Sequence, residues 1–189
     1  MIAVFASGQG SNFEALAQHF PNQISALICN VSLAPVLKLA EKYHIPSYDV
    51  PHKNFSTRAE HERAIISILN ELNNIEFIIL AGYMRVLTAQ FFQLWQNKTP
   101  IFNLHPAHLE EYKGAHAYEF AVEHKFPRWG LSFHEVTEKL DSGKLFSSTE
   151  FSLFPYESVE QVKARIKKLE HQFLINSVES LLNKRNPYL

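Results

Sequence analysis

One cysteine, Cys29, stands in the 189-residue chain, which excludes an intrachain disulfide and any zinc site built from cysteines. Six glycines, against 46% hydrophobic residues, exclude a collagen-like or disordered chain. Neither sign of charge dominates: 18 Lys+Arg face 19 Asp+Glu, for a net charge of -1. The chain therefore lacks the basic excess that displaces counterions from nucleic acid, and no nucleic-acid partner is expected. Long hydrophobic runs are missing too, and nothing approaches the roughly 20 apolar residues that span a bilayer. The opening run Met1–Ala6 carries no basic leader and stops at Ser7-Gly8, which is too brief for a signal peptide. These absences lead to the expectation of a cytoplasmic protein with no membrane partner. A chain of this length is expected to form one domain over residues 1–189.

What is present is an alternation of strand-length apolar runs with longer helical patterns, which predicts an α/β fold. Specifically, an open, twisted, mostly parallel sheet with helices on both faces is expected, Rossmann-like in kind. Strands are predicted at Ile2–Ala6, Ile24–Cys29, Ile45–Val50, Phe77–Ala81 and Ile101–Leu104, with further strands at Leu131–Val136 and Leu145–Leu153. Helices are predicted from Ser11 to about His19, over Ala34–Tyr43, from Thr57 through Leu72, over Ala117–His124 and from Ser158 to Leu182. Ser11 with Glu14, and Thr57 with Glu60, have capping-box spacing. In the last helix Val162, Ile166, Leu169 and Phe173 step along one face. The halves differ in texture. Residues 1–100 look like a nucleotide-binding half, and residues 101–189 like an irregular, site-bearing half, both on one sheet.

Three groups of residues carry candidate chemistry. Gly8-Gln9-Gly10-Ser11-Asn12 joins a strand to a helix start, where exposed N–H groups and the helix dipole suit a phosphate. Phe13 breaks the GxGxxG dinucleotide pattern and no P-loop lysine follows, so a monophosphate fits better; a plain strand-to-helix turn fits equally. Five of the ten histidines fall between His105 and His134. Strand alternation places Asn103 and His105 on one side, at the carboxyl end of a predicted strand where open α/β sheets collect ligands. There an amide donor and an imidazole suit an oxyanion and a proton transfer. A zinc site at His105-x-x-His108 is the competing reading, but Pro106 breaks the helix such a site needs, and no metal is expected. Asp141 sits in the turn Asp141-Ser142-Gly143, and a carboxylate folded back against His105 would raise the imidazole's pKa.

These pieces, in order, resemble the folate-dependent phosphoribosylglycinamide formyltransferases, within the wider formyltransferase family. The resemblance runs through Ser7-Gly8-Gln9-Gly10-Ser11-Asn12, Leu80–Leu87, Asn103-Leu104-His105-Pro106, Gly114-Ala115-His116-Ala117, Ser132-Phe133-His134, Leu140-Asp141-Ser142-Gly143 and Glu170-His171. It implies transfer of a formyl group from 10-formyltetrahydrofolate, as co-substrate, to an amine. It further implies that Asn103 bonds the formyl oxygen, that His105 stabilises the same centre and relays protons, and that Asp141 tunes His105 and takes up the amine's proton. Gly10, Ser11 and Asn12 would cradle a ribose phosphate and Glu170 would meet the glycinamide end. Arg58 would lie near the folate's glutamate tail, and Met84, Arg85, Val86 and Leu87 would line the folate, with Asn103.

The chain departs from that pattern in one loop and one strand. Where the family continues Ser-Leu-Leu-Pro, it has Ala107-His108-Leu109-Glu110, and where the family has Pro-Gly it has Lys113-Gly114. Ser147-Ser148 replaces a glutamine in the strand after the aspartate loop. The alternatives are transfer to another small amine, and a non-catalytic folate- or nucleotide-binding relative. A monomer or homodimer is expected, with Phe91, Phe92 and Trp95 as either core or interface.

Overall fold

The computed structural model describes residues 1–72, 74–95 and 99–185, the side chains of 184 and 185 excepted. Its order is β1 (Ile2–Ala6), α1 (Ser11–His19), β2 (Ile24–Cys29), α2 (Pro35–Lys42), β3 (Ser47–Asp49) and a 3-10 turn (His52–Asn54). Then come α3 (Arg58–Glu71), β4 (Phe77–Leu80), α4 (Ala89–Trp95), β5 (Ile101–His105), α5 (Ala117–Glu123), β6 (Arg128–Glu135), β7 (Leu145–Ser152) and α6 (Val159–Arg185). One seven-stranded sheet runs β3-β2-β1-β4-β5-β6-β7 through both halves of the chain. The first five strands are parallel, and β6 pairs antiparallel with both of its neighbours, β5 and β7.

Continuous apolar runs make the central strands because both sheet faces are covered. Every residue of β1 and β4 is buried. Ile2, Val4, Leu27, Phe77, Ile79, Phe102 and Leu104 pack on one face against α1, α2, α5 and α6. Ala3, Phe5, Ile28, Ile78 and Ile101 pack on the other against α3 and α4. Asn103 and His105 follow Ile101 in alternation, so they point to this second face.

Two expectations are corrected, and one helix is added. The N-cap of α1 is Gly10, in the left-handed conformation, and not Ser11; the Glu14 carboxylate instead accepts from Lys42 and Tyr43. Leu169 is exposed and Glu170 takes the inward place between Ile166 and Phe173, because a helix at 100° per residue carries the face round to it. The helix α4 was not foreseen, its seven residues being too few to show a period; Phe91, Phe92 and Trp95 prove to be core. The Thr57–Glu60 capping box forms as expected.

Candidate active site

The sheet order reverses between β1 and β4, and their carboxyl ends open a crevice of the kind that takes ligands. The two ends are tied together: Met84 N–H donates to Ser7 Oγ at 2.8 Å, and Ser7 Oγ donates to buried Asn30 Oδ1 at 2.5 Å. At the same end of the sheet β5 delivers Asn103 and His105, and antiparallel register sets His134 opposite Asn103 and Ser132 opposite His105. A turn at Asp141, whose φ is 43°, carries its carboxylate back over this row. Asp141 Oδ2 lies 3.6 Å from His105 Nδ1, and Oδ1 lies 3.5 Å from His134 Nε2. Gly114 N–H donates to Oδ2 at 2.7 Å. The spatial meeting of Asn103, His105 and Asp141 that the sequence reading required is present.

The tautomers follow from the carbonyls, which only accept. His105 Nε2 lies 3.0 Å from the Tyr112 carbonyl and must carry a proton, so Nδ1, facing Asp141, is the nitrogen that gains or loses one. His134 Nδ1 is likewise fixed as donor to the Glu135 carbonyl at 2.9 Å, leaving Nε2 to face Asp141 and Asn103 Nδ2, the latter at 3.4 Å. One amide proton of Asn103 is thereby directed to His134, and the other meets no acceptor among the described residues.

Burial corrects one expectation. His105 is 3% exposed, and desolvation holds its imidazole below the ordinary value, the charge of Asp141 opposing this only in part. For Asp141, burial alone would raise the carboxyl, but the Gly114 N–H bond and the two imidazoles that face the carboxylate outweigh it and hold the group below the usual carboxylate range. The arrangement at rest is a neutral imidazole beside an ionised carboxylate.

The glycine loop forms a second part of the crevice. Gly10 is required twice over: its φ is 78°, and a Cβ there would stand 2.5 Å from Val36 Cγ2. The first helical bond of α1 is Glu14 N–H to the Gly10 carbonyl at 2.8 Å, which leaves the N–H groups of Ser11, Asn12 and Phe13 before it outside the helical ladder. Asn12 Nδ2 donates to Glu170 Oε1 at 2.9 Å, so the structure joins the phosphate-cradle candidates to Glu170. Asn12 Oδ1 is buried with no partner among the described residues.

The remaining candidates gather at a third place. Arg58 opens α3 and its Nη1 donates to the Val86 carbonyl at 3.5 Å, bringing it onto the segment Met84–Leu87. Met84 and Val86 are exposed, Arg85 is half-buried and Leu87 is core. The segment is anchored by buried Glu62, which accepts from the Thr88 N–H at 2.9 Å and from its hydroxyl.

Sequence reasoning gave no catalytic role to His134, and did not single out Tyr118 or the Tyr112 carbonyl. The signal for His134 was available: in an antiparallel pair it is the polar residue that register can set beside Asn103. Tyr112 gave none, because a backbone carbonyl leaves no trace in residue type. Among the described residues no group of three or more His, Cys, Asp or Glu side chains is placed to hold a metal ion. Beside Asp141 an open cleft of about 440 Å³ is lined by His108, Glu110, Lys113, Ser132 and Ser142. No helix among the described residues is long and apolar enough to cross a membrane.

Comparison with known proteins bears on this geometry. The pattern of the formyl transferase family matches residues 1–178. The phosphoribosylglycinamide formyltransferase of Bacillus subtilis is 34% identical over 189 residues, covering 97% of this chain and 95% of its own. That of Haemophilus influenzae is 36% identical over 176 residues, covering 90% and 82%. Among solved structures, the phosphoribosylglycinamide formyltransferase of Streptococcus pneumoniae matches with a TM-score of 0.88 at 31% identity, over 96% of this chain and 98% of that one.

Proposed function

The chain belongs to the formyl transferase family, and on that premise we propose that it is an enzyme moving a formyl group from 10-formyltetrahydrofolate to the amine of phosphoribosylglycinamide, in purine biosynthesis and in the cytoplasm. The observation that carries this reading is the convergence of Asn103, His105, His134 and Asp141 at the carboxyl end of β5. One domain serves the reaction, residues 1–100 providing the nucleotide-binding half and residues 101–189 the catalytic and folate-binding half.

The acceptor's amine lone pair attacks the formyl carbon, a C–N bond forms, and the carbonyl electron pair moves to oxygen. The free N–H of Asn103 meets that oxygen as its charge grows. The new ammonium centre must lose a proton. Neutral His105 takes it at Nδ1, the nitrogen left open by the Tyr112 carbonyl, and ionised Asp141 stabilises the imidazolium that results. Collapse breaks the bond between the formyl carbon and the folate nitrogen, the His105 imidazolium returns its Nδ1 proton to that nitrogen, and tetrahydrofolate leaves with the imidazole neutral again.

Binding divides between the other two clusters. The glycine loop and the free N–H groups of Ser11 and Asn12 hold the acceptor's phosphate, and Glu170 accepts from its amide end. Leu87 packs beneath the folate segment of Met84, Arg85 and Val86, with Arg58 at the glutamate tail. The test is direct. Purified protein given 10-formyltetrahydrofolate should form tetrahydrofolate and formylated product only when phosphoribosylglycinamide is supplied. Donor consumption indifferent to that amine, or none with it, contradicts the reading.

A further inference from the structure

Glu170 stands on the inward stripe of α6, and each oxygen of its carboxylate is engaged by a different element. Oε1 accepts from Asn12 in the first turn of α1, and Oε2 accepts from the hydroxyl of Tyr118, in the first turn of α5, at 3.4 Å. Tyr118 is 7% exposed, with its ring tilted against Phe151. Burial and the charge of Glu170 push its phenol far above the ordinary tyrosine value, so it keeps its proton at every pH near neutral and acts as the donor.

We propose that Tyr118 is a positioning residue for the acceptor, acting through Glu170. The proposal rests on the reading above in which Glu170 meets the acceptor's amide end. A glutamate side chain free in a crevice loses rotamer freedom when a ligand arrives, and that loss weakens binding. Here two donors from separate elements order the carboxylate beforehand. They use two of its roughly four acceptor sites and leave the rest for a ligand. The Asn12 bond also ties the carboxylate to the same helix turn as Gly10 and Ser11, so its distance from the phosphate cradle is set by the fold. Tyr118 fixes the other oxygen and removes the remaining rotation. The chain thus gauges the span between a phosphate and an amide N–H in its acceptor.

The experiment is a double-mutant cycle on KM with Y118F, E170Q and the pair. Y118F keeps the ring and removes only the hydroxyl. It should raise KM for phosphoribosylglycinamide about fivefold, as expected for one weak bond to a charged group. KM for 10-formyltetrahydrofolate should stay as in the wild type, and the pair should be no worse than E170Q alone. If E170Q leaves the acceptor KM unchanged, the reading of Glu170 itself fails. If E170Q raises it but Y118F does not, or if the two effects multiply, the role of Tyr118 is overturned and that of Glu170 stands. A drop in kcat with both KM values unchanged in Y118F also overturns it.

Discussion

Nδ1 of His105 and Oδ2 of Asp141 face each other at 3.6 Å, the one at a strand end and the other in a left-handed turn. The contact is slightly long for a hydrogen bond, as suits a neutral imidazole whose only proton sits on the far nitrogen. Burial depresses the imidazole below its ordinary 6.5, and Asp141 pulls the other way. The acid limb of kcat/KM against pH should therefore have its midpoint below 6.5. In Asp141→Asn the residual activity should show that midpoint lower still, because the group favouring the imidazolium is gone. A limb at or above the ordinary value, or one that D141N moves upward, contradicts the assignment.

Stability should follow the same charges. Asp141 is held below its ordinary value of 3.8, so its interactions stabilise the fold above that pH and are lost as pH falls through the lowered value. The stability deficit of Asp141→Asn, measured by urea unfolding, should thus be constant at neutral pH and shrink below about pH 4. His105 gives a separate window. With its folded pKa lowered, the unfolded chain takes up the proton first, and stability declines as pH drops below 6.5. That decline should be smaller in His105→Gln. A deficit in D141N that fails to shrink once the pH is below about 4 contradicts this account.

The glycine loop offers a steric prediction. In Gly10→Ala the new methyl group meets Val36 at 2.5 Å from a backbone that disfavours side chains. Overpacking and left-handed strain together should cost about 1–3 kcal/mol in unfolding free energy. The acceptor KM should rise, with the donor KM unaffected. An alanine variant of native stability and native acceptor affinity rules out the cradle geometry.

The centre of the parallel sheet was legible because β1 and β4 are unbroken apolar runs, as in Ile2–Ala6 before Ser7-Gly8. Asn103 and His105 could be placed on one side by alternation alone. Their meeting with Asp141 could not, since a turn residue's direction depends on a φ that sequence spacing does not encode. The direction of the His105 shift was missed for a related reason. Proximity to a carboxylate is easy to imagine, whereas the burial that outweighs it depends on the whole fold. Gly10 as cap and Glu170 in the inward stripe were each displaced by one position from the sequence reading, within the usual uncertainty of helix ends and faces.

The folate side is tested at Arg58. Its side chain is exposed, so its attraction for a glutamate tail is screened by solvent and salt. Arg58→Ala should raise the 10-formyltetrahydrofolate KM about threefold at low ionic strength, a difference that fades as salt is added. The acceptor KM should not move. A salt-independent effect, or one on the acceptor alone, contradicts the placement.

The central claim is that His105 and Asp141 act as one unit, and a double-mutant cycle on kcat/KM for formyl transfer tests it most directly. H105A and D141N should each lose about a hundredfold or more. The double variant should fall no further than the weaker of the two singles. Losses that multiply in the double variant, or turnover that survives either substitution intact, would contradict it.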